Sequence, residues 1–176
     1  MTFENVEGFQ VIDFAPPDGG TRISKVRAAV RAIDEYQLYR GAQARRYLRR
    51  LLISHTGGSG EYWLGMGVCV LDANYLESVD STAIAMLLVH EATHGRLDMW
   101  GVRRRSINIA RAEALCSCAE IGLASRMPGG EGHVQRVLRS LQTRWWEPDA
   151  NLARQSRRLQ QMGAPPWVSS MLDRLR

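Results

Sequence analysis

Apolar and polar positions alternate over Gly8 to Phe14, the pattern of a strand with one buried face, and the run stops at the turn-forming segment Ala15-Pro16-Pro17-Asp18-Gly19-Gly20. Thr21 is then placed to cap a long helix. Ile23, Val26, Val30, Ile33, Tyr36, Tyr47, Leu48 and Leu51 recur at roughly helical spacing, with Gly41 able to break the run in two. His55 to Gly60 reads as a flexible loop. Tyr62 to Leu71 follows as one strand ending at Asp72, with Gly65 and Gly67 on the same face of it. A short connection, Ala73 to Val79, leads to Asp80 or Ser81 as the cap of a helix running through Ile84, Leu87 and Leu88 to about Leu97. A second helix is expected from Ile107 to Arg126, ending at Met127-Pro128-Gly129-Gly130. Beyond it, His133 to Trp145, Leu152 to Gln161 and Pro166 to Leu175 each show helical periodicity.

A chain of 176 residues with this pattern fits one domain and is short for two. At 45% hydrophobic and 23% charged residues it carries enough apolar surface for a packed core, which excludes a disordered chain. The longest apolar stretch, Ala83 to Val89, is far too short for a membrane span, so no membrane partner is expected. Acidic residues near Met1 and the lack of an apolar run after them argue against a signal peptide. Cys69, Cys116 and Cys118 are odd in number and lack redox or zinc-knuckle spacing. They read as reduced, partly buried thiols, and a cytoplasmic location follows from both observations.

The net charge of +5 rests almost wholly on arginine, Lys25 being the only lysine. Arg45, Arg46, Arg49 and Arg50 sit where cations complement a helix C-terminus. Arg103 to Arg105, and Arg136, Arg139, Arg144, Arg154, Arg157 and Arg158, keep a basic helical nucleic-acid-binding protein open as an alternative. These arginines alternate with apolar positions as solvated helix faces do, which weighs against it.

The chemistry lies on the central helix, in Val89-His90-Glu91-Ala92-Thr93-His94-Gly95. Histidines at i and i+4 share one helix face, so both imidazoles can reach one metal ion. Glu91 falls about 100° round the helix from His90, beside the metal and not on it. That is the place for a general base that takes a proton from metal-bound water. Catalytic zinc takes three protein ligands and keeps a fourth position for water. Leu97 and Trp100 occupy the positions where a metzincin has glycine and its third histidine, so the remaining donor is a carboxylate or a distant histidine. The next helix carries Glu113, which follows His94 after eighteen intervening residues, and Glu120.

Here the sequence resembles the gluzincin metallopeptidases, in which His-Glu-x-x-His is completed by a glutamate on the following helix. The resemblance covers roughly residues 61–126. It implies Zn2+ held by His90, His94 and Glu113, with Glu120 as fallback, Glu91 as catalytic base, and a peptide or protein substrate lying along the strand at Tyr62 to Leu71. It also implies an oxyanion-stabilising group, for which His133 and Tyr75 are the candidates, while Asp98 is a candidate to hold a ligand histidine in its tautomer. The expected fold is α+β. It would be a mostly helical, minimal zincin-like domain over residues 1–176, with a core at 61–126, a small antiparallel sheet packed on the active-site helix, and a helical extension at 131–176. A metal-binding scaffold without peptidase activity is the other reading of the same ligands. Trp145, Trp146 and Trp167 read as core or interface residues.

Overall fold

The computed structural model describes residues 1–102 and 109–143. The chain forms an α+β fold of five helices and a five-stranded mixed sheet among these residues. Strands β1 (Thr2–Val6) and β2 (Phe9–Asp13) make a hairpin in which Val6 pairs with Phe9. The two intervening residues, Glu7 and Gly8, have φ of 50° and 90°, the left-handed backbone that matches a tight hairpin to the sheet twist. Helix α1 (Thr21–Tyr47) crosses over to β3 (Arg50–Ser54), which lies parallel to β2. A second hairpin, β4 (Gly60–Trp63) and β5 (Val68–Asp72), sets β5 parallel to β3 and leaves β4 at the edge. The spatial order is β1-β2-β3-β5-β4. Helices α2 (Ala73–Ser78), α3 (Ser81–Met99), α4 (Ile109–Ala124) and α5 (Glu131–Thr143) follow.

Four expectations change. The sheet is mixed, not antiparallel, because the α1 crossover returns β3 in the direction of β2. Arg49, Arg50 and Leu51 are not helical: α1 stops at Tyr47, and Leu51 and Ile53 are buried as alternate residues of β3. Gly41 does not break α1. The departure is at Gln37 (φ −152°, ψ 74°), whose Nε2 donates to the Gly122 carbonyl at 3.0 Å, and Gly41 instead leaves room for Asp34 and Arg45 to pair beside it. Tyr62 to Leu71 is not one strand. Gly65 and Gly67, at φ of 73° and 63°, form the turn between β4 and β5, so they share no strand face.

The helices' start signals follow local chemistry. Asp80 caps α3 by accepting from the Ala83 amide at 2.8 Å, as its position before the apolar run predicts. Thr21 is the first residue of α1 and not its cap, which is Gly20; the Asp18 carboxylate accepts from the Gly20 and Arg22 amides at 2.9 and 2.7 Å. The segment read as a connection after Asp72 is the short helix α2.

Phe9, Val11, Leu51, Ile53 and Leu71 bury one face of the sheet under Val26, Val30 and Ile33 of α1 and Ile84, Leu88 and Ala92 of α3. Alternating burial in β2 and β3 marks a sheet with one covered face. Helix α3 is enclosed along most of its length, with α1 on one side and α4 on another. No described helix is long and apolar enough to cross a membrane. Cys69 and Cys116 are buried, and Cys118 is exposed.

Asp72 ties the end of β5 to the loop before β4. Its carboxylate accepts from the amides of Thr56 (2.6 Å), Gly57 (2.8 Å) and Tyr75 (2.9 Å), the last of these capping α2. Burial alone would raise its pKa, but these donors outweigh it and hold the carboxyl below the ordinary 3.8. A depressed folded-state pKa stabilises the fold above the unfolded value, and the contribution fades as pH falls through the folded one. Asp72→Asn is therefore expected to cost about 2 kcal/mol in urea unfolding at neutral pH. The gap from wild type should narrow as the pH is taken below 3.8. A gap that stays constant with pH would assign the loss to packing and not to charge.

Candidate metal centre

Helix α3 places His90 and His94 one turn apart, and their Nε2 atoms converge to 3.0 Å with the rings edge to face. Helix α4 packs against this face and presents Glu113, Cys116 and Glu120 towards it. These residues fall at i, i+3 and i+7, one stripe of a helix. The Glu113 carboxylate spans the histidines, with Oε1 3.4 Å from His94 Nε2 and Oε2 3.4 Å from His90 Nε2. A tetrahedral ion with zinc–nitrogen and zinc–oxygen bonds of about 2.0–2.1 Å sets neighbouring donors about 3.3–3.4 Å apart. The two imidazole nitrogens face the carboxylate at distances of that order, one to each of its oxygens.

Burial makes this arrangement costly unless something completes it. Glu113 is 5% exposed, and its Oε2 has no hydrogen-bond donor in line with it. Burial would raise the Glu113 pKa. The adjacent His90 and His94 rings, through their N–H groups' polarity and their charge, outweigh that and hold the carboxyl well below the usual range. For His90, burial disfavours the charged ring, but Glu113, Glu120 and Glu91 around it push its pKa up to about 10. Two imidazoles, once neutral, and a carboxylate are donor types that a divalent cation takes. The donor set thus fits the ion that the sequence implies.

The far nitrogen of each ring meets a group on α4. Glu120 Oε1 lies against His90 Nδ1, and Cys116 Sγ is 3.3 Å from His94 Nδ1. Glu120 therefore meets the edge of His90 opposite the Nε2 atoms that converge. Asp98, expected to orient a ligand ring, does something else: its Oδ2 accepts from the Gly65 amide at 2.7 Å and the Tyr62 hydroxyl at 3.4 Å, fastening the β4–β5 hairpin to the end of α3. Cys116 takes the place foreseen for it. It was invisible as a functional residue in the sequence, and only its spacing of three from Glu113 and four from Glu120 could have signalled it. Among the described residues, His90, His94 and Cys116 offer ligand atoms within 4.8 Å of one another, so this set could also hold a metal.

Glu91 is turned to the edge strand. Its side chain is buried, and Oε2 accepts from the Tyr62 amide at 2.8 Å. Beside His90, Glu91 and Glu120 opens a cavity of about 350 Å³, bounded by α3, the start of β4 and α5. Tyr75 and His133 both sit in its wall. Burial raises the Tyr75 pKa; the charge of Arg136 opposes this and those of Glu120 and Asp80 add to it, so the hydroxyl keeps its proton. Trp145, Trp146, Trp167, Arg103 to Arg105, Arg144, Arg154, Arg157 and Arg158 lie outside the described residues. Comparison with protein families, with curated proteins and with solved structures finds no match to any of them.

Proposed function

We propose that this chain is a zinc-dependent peptidase in which His90, His94 and Glu113 hold the metal and Glu91 is the catalytic base. The observation that carries the reading is the convergence of two Nε2 atoms on a buried carboxylate that spans them, with an acid beside them in a cavity wall. Zinc bound there would supply Lewis acidity, lowering the pKa of a bound water towards about 7 and polarising a substrate carbonyl. Glu91, tethered through one oxygen to the Tyr62 amide, takes the proton of the attacking water and passes it to the departing amine. Tyr75, protonated, and His133 line the same cavity and are the candidate donors for the oxyanion. Strand β4 pairs with β5 on one side only, which leaves an edge where an extended peptide can add main-chain hydrogen bonds. A buried Cys69 thiol and an exposed Cys118 thiol outside any disulfide suit a reducing, cytoplasmic setting.

Cys116 favours a second reading. If its sulfur joined the two histidines, the His90, His94 and Cys116 set would hold a metal that serves to clamp α3 to α4. The peptidase reading assigns Cys116 instead to the His94 Nδ1–H, fixing the tautomer that frees Nε2. The test is to purify the chain without chelators, measure zinc by elemental analysis, and incubate it with a mixed peptide library. About one zinc per chain with cleavage that chelation removes and zinc restores is the expected result. Stoichiometric zinc without cleavage would favour the clamp, and no zinc after reconstitution would sink both.

A further inference from the structure

The cavity beside His90 is polar in a directed way. Its α3 and α4 side carries Glu91 and Glu120, and both carboxylates are already engaged, one by the Tyr62 amide and the other by His90. Met86 and Leu87 give the floor an apolar stretch. Across from them, α5 contributes Arg136, an exposed side chain that makes no hydrogen bond or ion pair with any described residue. Its charge nevertheless reaches into the cavity, since it acts on the Tyr75 hydroxyl. A guanidinium is a rigid fork of donors matched to a carboxylate, and at the rim of a partly desolvated cavity its charge is screened less than in open water. The volume, about 350 Å³, lies at the small end of ligand pockets and suits one or two residues of a peptide.

We propose that Arg136 selects substrates by binding a carboxylate of the peptide segment that enters this cavity, so that the preferred substrate is a short or acidic peptide. The inference takes its substrate class from the peptidase reading, but the carboxylate site itself does not require turnover. The carboxylate has two possible sources, a peptide's free C-terminus or an aspartate or glutamate side chain, and Arg136 recognises the same chemistry in both.

Three matched peptides separate them: a free acid, its C-terminal amide, and an amide with an internal aspartate. Their affinities for the zinc-loaded chain are measured by calorimetry, and kcat and KM for each are measured in parallel. The acid or the aspartate peptide is expected to bind roughly 10- to 100-fold more tightly than the neutral amide. The difference should appear in KM and not in kcat. In Arg136→Gln that ratio should fall to about one, while Arg136→Lys keeps part of it. Arg139→Gln, an exposed arginine on α5 outside the cavity wall, should keep all of it. Preference for the acid alone identifies the C-terminus, and preference for the aspartate peptide identifies a side chain. Equal affinity for all three, or a ratio unchanged in Arg136→Gln, overturns the proposal even if the peptides are cleaved. Arg136-dependent binding without cleavage upholds it and removes the peptidase reading instead. Neither binding nor cleavage overturns both.

Discussion

Replacing Glu91 by glutamine should leave zinc content and fold intact and lower kcat for peptide cleavage by roughly 10²- to 10⁴-fold. The substitution keeps the shape of a buried side chain, and the amide oxygen can still accept from the Tyr62 amide at the start of the edge strand. What it removes is the capacity to take a proton. Because Glu91 is not among the groups that converge on the shared Nε2 face, metal affinity should change little. A variant that loses zinc together with activity would make Glu91 a structural support of the centre. One that keeps activity within a few-fold of wild type would exclude it as the base, and the proton acceptor would then have to be sought at Glu120 or His133 in the same cavity.

The second large effect is on stability. Anything that binds the folded chain alone stabilises it by mass action, so zinc at a thousandfold excess over its Kd should raise the unfolding free energy by about 4 kcal/mol. The increase would be read as a higher urea midpoint that chelation reverses. Glu113→Gln should abolish most of this gain, because the amide is a poor donor to zinc and the two imidazoles lose the carboxylate that spans them. Cys116→Ala should weaken zinc binding by roughly 10- to 100-fold, the usual effect of losing a group that orients a ligand histidine. Cys116→Ser, which restores an acceptor for the His94 Nδ1–H, should recover part of it. Cobalt in place of zinc separates the two assignments of Cys116. Absence of a thiolate-to-cobalt absorption leaves the sulfur as an orienting group, and its presence makes Cys116 a ligand and favours the structural clamp. Unchanged zinc affinity in Glu113→Gln would remove Glu113 from the donor set.

What could be read from the sequence is what local rules determine. The i, i+4 spacing of His90 and His94 places two imidazoles on one helical face in any fold that keeps α3 helical. Asp80 or Ser81 announced the start of that helix, with Asp80 the cap the structure uses, and the alternation from Gly8 to Phe14 announced β2. Glu113 was legible only through resemblance, and its approach to both histidines comes from how α4 packs on α3. Strand β3 was hidden because Leu51 also continues the helical spacing of α1, so one residue served two periods. The hairpin β4–β5 was hidden because Gly65 and Gly67 look the same in a strand and in a turn until their positive φ is known. The groups behind the ligands were beyond sequence reasoning for a related reason. Cys116 against His94, Glu120 against His90 and the Tyr62 amide against Glu91 are set by the rotation and depth of one element on another. Spacing along a single chain fixes which residues share a face. Which atoms meet across the interface is decided by the packing of the whole core, and that packing exists only in the tertiary structure.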